Sequence, residues 1–294
     1  MSKRSGSLIR LGVDDGEDKL RWQLPVLWDE PHLLVVDKPA GLPVLADSVS
    51  PIGPSFLGLM QDSRARRGDW FSGNVPDFLA TPQRMDADVS GVLVVARTRA
   101  CWQALANLFA SHLAPTVTLA LVEGNPQDTF NVSAPLARKP APQGFYRVDK
   151  ERGKRSETRF EVVERFRKYT LLRCRVIGGR PHQIRAHLRR HGLRLVGDEL
   201  YGGRPLNLSR LKPGYRFKRD LEERPLIGRP ALHVESVRLP VVVPGIPSEV
   251  VVEAPLPKDF EVALKYLRRY GALGGGSGDV QSDDSEGMGS DSVV

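Results

Sequence analysis

Pro82-Gln83-Arg84-Met85-Asp86-Ala87-Asp88-Val89-Ser90-Gly91 runs directly into Val92-Leu93-Val94-Val95-Ala96. The first part reads as a polar turn, because Asp, Ser and Gly bond nearby backbone or permit unusual dihedrals. The second is an apolar run of strand length that starts at Gly91 and is bounded by that turn. Aspartyl-phosphate enzymes carry their acids after the apolar strand. Here Asp86 and Asp88 come before it, which weighs against that chemistry.

Outward from this stretch, similar signals recur. Residues 32–37 (HLLVVD) form an apolar run stopped by Lys38-Pro39-Ala40-Gly41. Residues 118–123, 158–165 and 169–177 also read as strands, and in the last Leu172, Cys174 and Val176 share one face. A helix is expected over 101–112, with Trp102, Leu105 and Phe109 at helical spacing. Gly178-Gly179 breaks the 169–177 strand, and Pro181 suits the first turn of a helix reaching about His191. On it Ile184 and Leu188 face the core, while Arg185 and Arg189 share a neighbouring stripe. Strands outnumber helices and do not alternate regularly with them. The expectation is therefore an α+β fold on a mixed, largely antiparallel sheet with flanking helices, not a doubly wound parallel one.

The chain has 294 residues and a net charge of +8. Residues 274–294 hold Asp279, Asp283, Asp284, Glu286 and Asp291 and no Lys or Arg, so the rest carries +13. Such a basic body suits a polyanion, since Lys and Arg release phosphate counterions on binding. The Gly/Ser/Asp-rich tail, 271–294, is too poor in apolar residues to fold and is expected to be disordered. Residues 1–20 are expected to be loosely ordered, leaving 21–270 as one folded body. Neither a membrane span nor a secretory leader is legible. Cys101 and Cys174 lie far apart without metal-ligand spacing, consistent with a cytoplasmic chain.

Three further segments are ambiguous alone. Residues 178–188, GGRPHQIRAHL, could be only a basic amphipathic helix. His187 and His191 stand at zinc-ligand spacing, but no third ligand accompanies them, and two solvated histidines are the simpler reading. Residues 196–203, VGDELYGG, form a turn-rich loop, and residues 153–156 lack the upstream glycine of a phosphate loop.

Taken in order, these segments resemble the RluA/RsuA-type pseudouridine synthases over roughly residues 26–260. The opening is similar from Leu27-Trp28-Asp29-Glu30 to Lys38-Pro39-Ala40-Gly41-Leu42-Pro43-Val44. Gln83-Arg84-Met85-Asp86 with Ser90-Gly91 looks like the nucleophile motif. Gly178-Gly179-Arg180-Pro181-His182-Gln183-Ile184-Arg185 looks like the later Thr-Gly-Arg-Thr-His-Gln-Ile-Arg, and Gly197-Asp198 with Tyr201-Gly202 like a Gly-Asp-x-x-Tyr-Gly loop. Ala231-Leu232-His233 and Ala254-Pro255-Leu256-Pro257 fit the closing segments.

The resemblance implies a bent sheet and an isomerase that breaks the uridine glycosidic bond, turns the uracil and rejoins it through carbon. No cofactor and no metal are implied; the partner is ribosomal or transfer RNA, and the chain is expected to act as a monomer. Asp86 is the implied nucleophile and Arg185 its partner, holding the carboxylate ionised in a water-poor pocket. Arg84 is implied to assist base flipping, and Thr118, Arg180, His182, Gln183 and Ile184 to line the substrate site. Departures are Gln83 for histidine, Gly178 and Pro181 for threonines, and Thr118 for the family's active-site tyrosine. Losing that ring would cost ~1–3 kcal/mol of stacking. It also opens the alternative of a catalytically impaired member that serves as an RNA-binding or ribosome-assembly factor. Basic residues Arg204, Arg210, Lys212, Arg216, Lys218 and Arg219 mark an accessory loop for substrate choice.

Overall fold

The computed structural model describes residues 7–14, 19–45, 54–65, 78–139, 145–215, 222–244, 246 and 248–272. The apolar run after the polar turn is strand β4 (Ser90–Ala96), and all of it is buried. A strand buried on both faces needs neighbours at both edges and cover above and below. Numbered along the chain, the sheet around it runs β1 (Leu8–Asp14), β2 (Lys19–Asp29), β3 (Leu33–Lys38), β4, β12 (Leu232–Leu239), β5 (Thr116–Glu123), β10 (Tyr169–Ile177), β9 (Glu157–Arg165) and β6 (Thr129–Ser133). Short β11 (Arg194–Leu195) adds to β5, and β13 (Val250–Glu253) to β12. β7 (Leu136–Arg138) and β8 (Tyr146–Val148) make a separate hairpin. Among the described residues β4 and β12 are parallel and the other strand pairs antiparallel, so the sheet is mixed and largely antiparallel as expected.

Alternation along β4 explains the layers. Val92, Val94 and Ala96 join Cys101, Leu105 and Leu108 of α2 (Arg99–Ala110) and Ile184 and Leu188 of α3 (Gln183–Arg190). Leu93 and Val95 point the other way, to Leu34, Val36 and the Phe56 and Met60 side chains of α1 (Phe56–Ala65). Farther along the sheet, Phe260, Leu264 and Leu267 of α4 (Lys258–Tyr270) cover Leu119 and Leu121 of β5.

Four expectations need revision. Leu8–Asp14, read as loosely held, pairs with β2 and buries Ile9 and Leu11, which alternate with Arg10 and Gly12 in the period of a half-buried strand. The apolar stripe of α2 is Cys101, Leu105 and Leu108, one residue round from the one expected, and Trp102 is exposed. His187 is fully buried, not solvated, with its nitrogens on Thr158 Oγ1 (2.8 Å) and the Ala134 carbonyl (3.0 Å). The helix after Gly178-Gly179 begins at Gln183, because His182 has φ +52° and stands outside it. The acidic tail beyond residue 272, and Arg216, Lys218 and Arg219, lie outside the described residues.

Gly91 lies at the parallel β4–β12 seam. Its φ is +110°, and a β-carbon there would fall 2.2 Å from the Val234 carbonyl oxygen of β12. Both the dihedral and the contact demand glycine. Gly91→Ala is therefore expected to lose roughly 2–4 kcal/mol of stability in urea unfolding. A loss below about 0.5 kcal/mol, the level of a neutral surface change, would show that the β4–β12 seam yields freely.

Candidate active site

The nucleophile candidate stands where the polar turn meets β4, and the turn is fixed by its backbone. The Ala87 carbonyl accepts from Lys38 Nζ (2.9 Å) and from the Gly41 amide (3.0 Å). The Asp88 carbonyl accepts from Arg229 Nη1 (3.0 Å), and Val89 N–H closes the turn onto the Asp86 carbonyl (3.1 Å). Lys38 is fully buried, and its amine also reaches the carbonyls of Pro39 and Leu42. Burial pushes that amine down to about 7, against the pull of the Asp88 carboxylate. Arg229 is gripped in turn by both oxygens of Asp259 in the first turn of α4, at 2.7 and 3.1 Å. Neither Lys38 nor Arg229 stood out in the sequence as a support for this loop.

Opposite the turn lies α3. Its Arg185 Nη1 donates to Asp86 Oδ2 at 3.2 Å. The rest of the guanidinium belongs to Asp198, with Nε to Oδ2 at 2.8 Å and Nη2 to Oδ1 at 2.6 Å. Asp198 is wholly buried and comes from a tight loop in which Gly197 has φ +72° and packs against the Arg229 carbonyl. Burial opposes the Arg185 charge, but the bonds and charge of Asp198 outweigh it and hold the guanidinium more firmly protonated than usual. The Tyr201 ring lies under the same group, 5.0 Å from its carbon.

This arrangement has a chemical consequence. Asp198 neutralises Arg185, so the pair presents Asp86 with an oriented donor and little net charge. Asp86 is thus aimed, and its side chain is 25% exposed, open to a ligand. A lone buried arginine would have quenched the carboxylate more strongly.

The other residues singled out in the sequence divide into two groups. Arg84 is exposed beside Asp86, and Arg180 and His182 are partly exposed. His182 Nε2 lies 3.7 Å from Asp86 Oδ2, and its Nδ1 lies 3.1 Å from the Tyr201 hydroxyl. Burial lowers the imidazole's pKa below its ordinary value, although Asp86 pulls the other way. Gln183 and Ile184 face inward. The Gln183 amide bonds the carbonyls of Glu157 and Ile177 and the Arg180 amide, tying down the start of α3. Ile184 packs in the core below. Thr118 is 5% exposed and sits in a row across the sheet, opposite Cys174 on β10 and Val234 on β12. Gln83, another departure, bonds the backbone of Val92 and Val94 and so pins the motif to β4.

Asp198, Tyr201, Lys38 and Arg229 are therefore the site's additional members. A signal existed for Asp198, since an acid inside a glycine-flanked loop, if buried, requires a cation.

The chain is similar to known proteins over most of its length. The family model described as RNA pseudouridylate synthase matches residues 32–190. Ribosomal large subunit pseudouridine synthase C of Salmonella typhi is 34% identical over 246 residues, covering 83% of this chain and 70% of that protein. Ribosomal large subunit pseudouridine synthase D of Xanthomonas campestris pv. campestris is 33% identical over 254 residues, 85% of this chain and 71% of its own. Among solved structures, human RNA pseudouridylate synthase domain containing 4 superposes with a TM-score of 0.61 at 19% identity, over 83% of this chain and 92% of that one, which supports the fold. The chain belongs to the RNA pseudouridylate synthase family of isomerases.

Proposed function

We propose that this protein isomerises uridine to pseudouridine in ribosomal RNA, with Asp86 as nucleophile and Arg185 as the group that holds it. The observation that carries the reading is the Asp86–Arg185–Asp198 arrangement, in which a 3.2 Å bond aims an accessible carboxylate and a buried acid balances its partner. The relatives' names, which specify the large ribosomal subunit, support ribosomal RNA as the substrate.

The reaction needs no net input. The N1–C1′ bond breaks, uracil turns, and a C5–C1′ bond forms, while one proton leaves C5 and one arrives at N1. Asp86 supplies the carboxylate that carries the sugar–base unit through detachment. The guanidinium does not move a proton; it orients and stabilises charge. The target uridine must leave its stack to reach the carboxylate. Exposed Arg84, two residues before Asp86, is the residue we assign to fill the vacated space, since its planar guanidinium can stack as well as bind phosphate.

The decisive experiment is pseudouridine mapping of total RNA from cells with the gene intact, deleted, or encoding Asp86→Ala. A site lost in both altered strains is expected. If no site changes while the purified protein still binds RNA, the protein is a binding factor and the buried Thr118 marks a lost activity. Arg84→Ala should lower kcat/KM on the mapped RNA by about tenfold, through loss of stacking and phosphate contact, without a change in Tm. An unchanged kcat/KM would remove Arg84 from the flipping step.

A further inference from the structure

The isomerisation leaves one task beyond the roles proposed for Asp86 and Arg185: once C5 is joined to C1′, the C5 proton has to go. Electrons of the C5–H bond then restore the C5=C6 double bond, and N1 takes up a proton. Atoms and electrons balance without an oxidant, but a base is needed. Because C5 is bonded to C1′ at that stage, the base must stand within a side chain's reach of the nucleophile.

Most groups near Asp86 are unsuited. Asp198 has both oxygens on Arg185, which is itself always protonated. The Lys38 amine is turned into the loop backbone, on the carbonyls of Pro39, Leu42 and Ala87. Tyr201 is buried, and burial raises its pKa above the ordinary value. Thr118 is buried, and a threonine hydroxyl is a poor base near neutral pH. His182 remains, with its Nε2 3.7 Å from Asp86 Oδ2 on the open side of the site.

Hydrogen-bond accounting decides which of its nitrogens is free. The Tyr201 hydroxyl accepts from the Tyr146 amide (2.9 Å) and donates its only proton to the Tyr146 carbonyl (3.0 Å). Its remaining lone pair can only accept, so His182 Nδ1, 3.1 Å away, is the protonated nitrogen. The opposite tautomer would leave the Tyr146 carbonyl without that donor. The Nε2 lone pair therefore faces Asp86. The ring is also presented by unusual backbone, since His182 has φ +52°. Histidine tolerates the left-handed region better than most residues, and residues held there cluster at working sites.

We infer that Nε2 of His182 is the base that removes the C5 proton after the new C–C bond closes. The imidazolium so formed sits among Asp86, Arg185, Asp198 and Arg138, with Tyr146 and Tyr201 beside it. It returns to neutrality by giving the proton to N1 or to water. The inference rests on the proposed pseudouridine synthase activity and on Asp86 as nucleophile.

The test uses the full-length protein and two transcripts of the source organism's large-subunit ribosomal RNA, one carrying [5-³H]uridine and the other 5-fluorouridine. Tritium release reports loss of the C5 proton. The fluorinated base can detach, turn and rejoin but has no C5 proton to lose, so its rearranged product reports the earlier steps. His182→Asn keeps a side-chain donor for Tyr201 and suits a left-handed residue; His182→Gln serves as the second variant. Tritium release should fall by about 100-fold in both, while rearrangement of the fluorinated base stays within about threefold of wild type, far less than the loss expected of a missing base. Two results would overturn the inference. Tritium release at the wild-type rate would return the proton transfer to Asp86. An equal fall in both readouts would make His182 a positioning residue for the carboxylate. Failure of the wild-type protein on both transcripts would instead reject the proposed ribosomal RNA activity.

Discussion

Asp86→Ala protein is expected to convert uridine at least about 10⁴-fold more slowly than wild type, because removal of a covalent catalyst leaves only binding and electrostatic help. RNA affinity should stay within about threefold, since polyanion binding rests on the many Lys and Arg contacts of the body. Stability should also hold. Asp86 is partly exposed, and its loss leaves Arg185 bidentate on Asp198. The guanidinium keeps its partner, and no buried charge is stranded. Single-turnover conversion, RNA filter binding and thermal melting on the same preparation separate these effects. If the alanine protein keeps even a tenth of wild-type turnover, Asp86 is not the nucleophile, for the loss expected of one is orders of magnitude larger.

Arg185→Met should fail in a different way. Methionine approximates the length of the arginine stem but leaves Asp198, wholly buried, without its cation. Stranding such a charge costs about 3–5 kcal/mol, which for a domain of this size lowers Tm by roughly 6–20 °C. The second change Asp198→Asn should recover most of that loss, because a neutral amide no longer needs a charged partner. Activity should not return with stability, since Asp86 still lacks the donor that aims it. Melting of the single and double variants therefore tests the fold, and conversion by the double variant tests the chemistry. Equal melting temperatures for the two would show that Asp198 is balanced by something other than Arg185.

Much of the fold is legible in local pattern. The apolar runs at 32–37 and 91–96, the alternating strand at 169–177 and the break at Gly178-Gly179 all lie where sequence reading puts them. Each is bounded by turn chemistry and carries a strong period, which is information available within a few residues. The expectation fails where local signals are interrupted or where partners decide. Leu8–Asp14 alternates over only seven residues, and its order comes from pairing with β2. Trp102 fits a helical stripe on paper, yet α2 turns Cys101 to the sheet in its place. His187 reads as a surface histidine on a basic helix, and is buried because Thr158 and Ala134 receive its nitrogens.

The same division runs through the site. Asp86, Arg84 and Arg185 are conspicuous in sequence because residue type and order are properties of the chain itself. That Arg185 spends most of its guanidinium on Asp198 is not, for residues 185 and 198 meet only when the loop after β11 folds back over α3. Nor could sequence show that Lys38 and Arg229 hold the carbonyls of Ala87 and Asp88 from opposite ends of the chain. The sequence by itself determined most of the elements, since periodicity and turn chemistry act locally, and through its ordered motifs the candidates for the reacting groups. Only the tertiary structure decided which groups share a proton or a charge, because hydrogen bonds and ion pairs act over a few ångströms and those distances exist only once the chain is folded.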